Sequence, residues 1–281
     1  MPHASPTPPQ RPAPRPGGAR AFALALSLAL SPALALSPAL ALALGALFLA
    51  GCAPLPQRAG IPTRWVPSPN HNARSVQLVV LHYTAGDATG RALTTLTRDG
   101  SGVSAHYLIE RGGAILQLVD ERARAWHAGD SRWGATVDVN SASIGIELDN
   151  DGAEPYPSAQ IDALLRLLAD IRSRHGVPAA NVVGHSDVAP ARKVDPGPHF
   201  PWRTLAAHGL GLWCEPPLVP APPSLDPWLG LRAIGYDTRR PDAALRAFRL
   251  HHRPGTPVDA PIDDTDVALI ACLAGSMAGA P

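Results

Sequence analysis

The sequence predicts an α/β domain, a mixed central sheet flanked by helices, followed by a small C-terminal three-helix bundle. Three observations carry this expectation. Between residues 76 and 213, short Val/Leu-rich runs alternate with segments of helical period, the pattern of interleaved strands and helices. A proline-dense stretch, 214–225, then interrupts the chain. Beyond it, residues 226–277 hold three helix starts in close succession.

Taken in order, Ser75 to His82 (SVQLVVLH) reads as a buried strand, short, apolar and bounded by polar residues. Ala92 to Arg98 fits a short helix. Ala105–Arg111 and Ala114–Val119 flank Gly112-Gly113, a hairpin pattern. Ser143 to Leu148 alternates strictly, with Ile144, Ile146 and Leu148 on one face and Gly145 and Glu147 on the other. The clearest helix is Ser158 to His175: Ile161, Leu164, Leu165, Leu168 and Ile171 recur at helical spacing, and Gly176 with Pro178 ends it. Asn181 to His185 is a further strand, and Ser186 to Pro201, with four prolines and no period, a loop. In the last segment Asp226-Pro227 is an N-cap followed by proline at the first helical position. Further helices start near Pro241 and Thr265. Three short helices are at the lower limit of what one core can stabilise.

The first 51 residues stand apart. Residues 1–20 are Pro-rich with only basic charges, at Arg11, Arg15 and Arg20, and an uncharged Ala/Leu run ends in Leu49-Ala50-Gly51-Cys52. This is an export signal by composition, and the final tetrad resembles the lipobox of bacterial lipoproteins, in which the cysteine is lipidated. An uncleaved membrane span competes, because the apolar run is long; Pro32 and Pro38 interrupt it. The expectation is a signal peptide over 1–51, lipidation at Cys52, a tether over 52–75 and anchoring in a membrane. By the lipoprotein resemblance, Ala53 rather than Asp after the cysteine points to the outer membrane, facing the periplasm. In an oxidising compartment Cys214 and Cys272 could sustain a disulfide, though spacing does not say whether they meet. The net charge of +1 gives no basis for nucleic-acid binding, and a monomer is expected.

Reactive side chains collect at strand ends and in one loop. His82 closes the run VVL, Glu147 is the lone charge in an apolar strand, His185 ends NVVGH, and Lys193 and Asp195 follow in the loop. Singly, each is ordinary. Together, two imidazoles and a carboxylate make a common three-ligand set for catalytic zinc, with a Glu to take a proton from water and a Lys to stabilise an oxyanion. No helix-borne HExxH is present. Spacing alone reaches no further than a candidate metallohydrolase.

The segments VVLHYTAG (79–86), SAHYLIERGG (104–113), AWHAGDS (125–131), SIGIEL (143–148) and VVGHSDVAPARKVDPG (182–197) resemble the zinc-dependent N-acetylmuramoyl-L-alanine amidase family, which includes the peptidoglycan recognition proteins. The resemblance implies that fold, a Zn2+ cofactor held by His82, His185 and Asp195, Glu147 as general acid/base and Lys193 supporting the transition state. It implies hydrolysis of the amide between N-acetylmuramic or anhydro-muramic acid and L-alanine in peptidoglycan or muropeptides, in cell-wall turnover. His106 and His127 are not ligands in that family; they and Trp126 are candidate substrate-contacting residues, with core packing the alternative. His71, His175, His199, His208, His251 and His252 belong to no constellation and are taken as surface residues. The segments LRAIGYD (231–237) and AFRLHHRP (247–254) are similar to a peptidoglycan-binding domain of the lipoprotein branch, with Arg249 where Gln is usual. A structural extension is the other reading of that tail. Two further readings remain for the whole chain: a non-catalytic recognition module, and a wall tether that binds without cutting.

Overall fold

In the computed structural model residues 59–73, 76–86 and 89–278 are described; the expected signal peptide (1–51) and Cys52 lie outside them. The chain opens with β1 (Arg64–Trp65), β2 (His71–Ala73) and β3 (Leu78–Tyr83), then α1 (Thr89–Thr97). Next come β4 (Tyr107–Ile109), β5 (Ile115–Gln117), β6 (Ala123–Ala125), α2 (Val139–Ala142) and β7 (Ser143–Leu148). They are followed by α3 (Ser158–His175), β8 (Val182–Gly184), α4 (His185–Val188) and α5 (Trp202–Ala207). The last segment forms α6 (Pro227–Ile234), α7 (Pro241–His252) and α8 (Asp264–Ala278).

Six strands make one mixed sheet in the order β1-β5-β4-β7-β3-β8. Only the β4–β5 hairpin is antiparallel; β3 runs parallel to both β7 and β8. A parallel centre has to be covered on both faces. On one face Val79 and Leu81 of β3 with Ile144, Ile146 and Leu148 of β7 pack against Ile161, Leu164, Leu168 and Ile171 of α3. Gly176 ends that helix in the left-handed conformation (φ 67°), its N–H donating to the Arg172 carbonyl, which glycine does without steric cost. On the other face lie Leu78, Val80 and Val183.

That second face is covered by the tail. Leu231 and Ile234 of α6, Leu245 and Phe248 of α7 and Ile270 and Leu273 of α8 share one core with Leu78, Val80 and Val183. Cys214 and Cys272 form a disulfide, Cα–Cα 6.4 Å, joining the proline-rich stretch to α8. Helices too short to bury much among themselves thus find their apolar partner on the sheet. Within α7 the fully buried Arg249 pairs with Asp266 at 2.5 Å and donates to the carbonyls of Pro257, Val258, Ala260 and Pro261. Arg249, where the resembling pattern has Gln, thereby ties α7 to the segment 257–261 and to α8.

Other expectations need correction in detail. Residues 59–73, assigned to the tether, are woven into the domain: β1 adds an edge to the sheet, β2 pairs with β6, and Ser68 Oγ donates to the Leu96 carbonyl. The residues from His185 do not remain extended but begin a helical turn, and α5 was not foreseen in a proline-rich context. His251 and His252, taken as surface residues, are buried, at 4% and 6% exposure.

Candidate metal centre and cleft

The site stands at the C-terminal ends of the parallel strands, where side chains of adjacent strands are brought level. Parallel register sets His82 of β3 opposite Glu147 of β7. On the other side of β3, the chain leaving β8 turns at His185 into α4, and the loop after it returns to place Asp195, anchored by Ser186 N–H donating to the Asp195 carbonyl at 2.8 Å. His82 Nδ1, His185 Nδ1 and Asp195 Oδ2 then form a near-equilateral triangle with sides of 2.9, 3.1 and 3.0 Å. All three residues are buried, and among the described residues they form the group able to hold a metal ion.

The donor set fits a cation. A tetrahedral ion with ligands at 2.0–2.1 Å has ligand–ligand edges of about 3.3 Å, within a few tenths of the triangle found. The protons also fit. His185 Nε2 lies 3.2 Å from the Ala128 carbonyl, an acceptor only, so it carries the hydrogen and Nδ1 presents a lone pair. Burial first, then the neighbouring His185, pushes His82 down to about 4, so its ring is neutral near pH 7.

Glu147 stands beside this triangle with a buried Oε2 that has no hydrogen-bond partner. Desolvation first, then the Asp195 charge, pushes its carboxyl well above the usual range, while Lys193 acts in the opposite direction. A cation at the triangle would favour the carboxylate in the same way. The cleft above has a volume of about 460 Å³, and His82, His185, Asp195, Glu147, Lys193, Trp126 and His127 all line it. His106 does not: it is fully buried, its Nε2 bonded to the Ala123 carbonyl and its Nδ1 accepting from Gly145 N–H. His127 bridges to the centre from behind, Nδ1 to His82 Nε2 at 3.0 Å. Sequence reasoning also passed over Arg91 and Tyr83, which line the cleft wall; no local pattern distinguishes them.

Three buried ligand atoms able to hold a metal ion, with a carboxyl beside them in an open cleft, are the equipment of a hydrolase that cleaves amides without a nucleophilic side chain. The family model described as N-acetylmuramoyl-L-alanine amidase matches residues 72–198. The chain is 37% identical over 245 residues to the N-acetylmuramoyl-L-alanine amidase AmiD of Escherichia coli, covering 74% of this chain and 87% of that protein. The solved complex of AmiD with anhydro-N-acetylmuramic acid-L-Ala-D-γ-Glu-L-Lys superposes with a TM-score of 0.64 at 36% identity, covering 72% of this chain and 89% of that one. The structure of AmpDh3 from Pseudomonas aeruginosa is similar, with a TM-score of 0.65 at 33% identity over 73% and 93% of the two chains. This chain belongs to the N-acetylmuramoyl-L-alanine amidase family.

Proposed function

We propose that this chain is a zinc-dependent N-acetylmuramoyl-L-alanine amidase that hydrolyses the bond between N-acetylmuramic or anhydro-muramic acid and L-alanine in peptidoglycan fragments. The observation that supports it most is the convergence of three lone pairs, on His82, His185 and Asp195, beside the partnerless Glu147 Oε2 in an open cleft. Zinc held there supplies a Lewis acid for the scissile carbonyl and brings the pKa of an adjacent water towards 7. Glu147 accepts the proton of the attacking water and delivers it to the departing amide nitrogen. The Lys193 ammonium, on the cleft rim, stabilises the oxyanion as it develops. Trp126 offers a flat face to sugar or peptide. Anhydro-muropeptides are the favoured class of substrate, because the similar structures of AmiD and AmpDh3 were solved with anhydro-muramyl peptides.

The same proposal includes export, lipidation at Cys52 and attachment to the outer membrane, supported by the lipobox-like LAGC (49–52). The helical tail, 226–277, is proposed to bind peptidoglycan, on its sequence similarity alone. The test is incubation of the purified protein with anhydro-muropeptides and with sacculi, with and without chelator. Chromatography should show free L-Ala-headed peptides, abolished by chelator and restored by zinc. Intact substrate at full zinc loading overturns the enzyme reading in favour of a recognition module or tether.

A further inference from the structure

We propose that His127 is a positioning residue that fixes the ring form and aim of His82, and that Gly145 is small in order to admit it; this rests on the reading of His82 as a zinc ligand. The argument follows the hydrogens. The Ser143 hydroxyl has one, and its 2.6 Å contact with the Val139 carbonyl, which can only accept, uses it. At 3.1 Å from His127 Nε2 the same hydroxyl oxygen therefore accepts, and Nε2 donates. Neutral His127 then has its lone pair at Nδ1, facing His82 Nε2 at 3.0 Å. So His82 Nε2 donates, and the remaining lone pair of that ring, on Nδ1, is turned towards Asp195 and His185. A relay of Val139, Ser143 and His127 selects the one tautomer of His82 that binds a metal through Nδ1.

The same turn serves the second imidazole. Ala128, the next residue, supplies the carbonyl that receives His185 Nε2–H. That carbonyl is held by Arg192 Nη2 at 2.9 Å, and the N–H groups of His127 and Ala128 both donate to Asn140 Oδ1, at 3.0 and 2.8 Å. Residues 127–128 thus form a rigid outer support for both histidines. The ring of His127 fits because β7 carries no side chain beneath it. A Cβ added at Gly145 would stand 2.4 Å from His127 Cγ, closer than any real contact. The glycine of SIGIE and the histidine of AWHAG are two halves of one device.

The test measures zinc affinity of the full chain, stripped of metal and titrated against a chromophoric chelator. His127→Leu and His127→Asn leave side chains with the same number and branching of heavy atoms, but only the asparagine sets an acceptor oxygen near the former Nδ1. The leucine variant should bind zinc about 10–100-fold more weakly, as outer-support substitutions do, and the asparagine variant should recover most of that loss. Gly145→Ala should weaken zinc binding like the leucine variant, by displacing the ring. Equal affinities for wild type and His127→Leu overturn the proposal while leaving the zinc reading intact. Equal losses in the leucine and asparagine variants also overturn it, leaving a space-filling role. Wild-type protein that binds no zinc overturns both.

Discussion

Asp195 lies between His82 and His185 in the cleft, and Asp187, eight residues earlier, lies between Tyr236 and His251 where the tail meets the sheet. Both carboxylates are buried, at 7% and 0% exposure, and both face imidazole Nδ1 atoms. At the tail, the acceptors are filled: Asp187 receives Gly184 N–H at 2.7 Å, Tyr236 O–H at 2.8 Å and His251 Nδ1 at 2.7 Å. His251 is also stacked on Trp202 at 3.6 Å and on His252 at 3.9 Å. In the cleft, the ring hydrogens are engaged outward, on His127 and the Ala128 carbonyl, so lone pairs meet with no hydrogen between them. A filled set holds a fold together; an open set calls for a cation.

The comparison breaks most visibly at the open set. His185→Ala should remove zinc and reduce muropeptide cleavage to background. Glu147→Gln keeps its volume and leaves the triangle intact, so zinc should remain while the rate falls by about 10²–10⁴-fold, the usual share of general acid–base catalysis. If that variant cleaves at the wild-type rate with full zinc, the proton acceptor is another group.

Effects at the closed set should appear as stability. Truncation after residue 225 uncovers Leu78, Val80 and Val183 and strips Asp187 of two partners, two residues from His185. The shortened chain should therefore aggregate or unfold rather than survive as a free catalytic domain. Soluble truncated protein with native melting behaviour would show the tail to be dispensable. Tyr236→Phe removes one donor from a buried carboxylate and should cost about 1–3 kcal/mol in denaturant unfolding.

Acid should loosen the same region. His252 is pushed well below its ordinary value of 6.5, first by burial and then by His251. Below about pH 6.5 the unfolded chain takes up a proton that the folded chain refuses, so stability falls as pH falls. His82 adds the same sign down to about 4. The melting temperature of metal-free protein should decline from pH 7 to pH 5, and His252→Phe should flatten the decline. The smallest effect belongs to the exposed Arg246–Asp259 pair at 3.4 Å: Arg246→Ala should change stability by less than about 0.5 kcal/mol.

Local pattern made much of the fold legible. The helix Ser158–His175 and its glycine stop were readable because period and cap are encoded in consecutive residues. The buried strand β3 was readable too, but not what covers Leu78 and Val80 on its second face, because that cover arrives from a tail about 150 residues on. For the same reason His251 and His252 looked like a basic, solvated helix end. Burial against Trp202 and Trp213 depends on docking, which no local period reports. In the cleft, the five residues singled out do line one cavity, but spacing supplied only residue types, and the family resemblance supplied their grouping. The link from His127 to His82 spans 45 positions and depends on a missing side chain at Gly145, a relation written in no single segment.

The most direct measurement is zinc content by elemental analysis of the wild type, His185→Ala and His251→Ala, each purified folded and dialysed against the same buffer. The account predicts stoichiometric zinc in the wild type and in His251→Ala, the latter with a lowered melting temperature, and almost none in His185→Ala. Zinc retained by His185→Ala, or lost from a well-folded His251→Ala, would contradict the assignment of the open set as the metal centre and the filled set as structural.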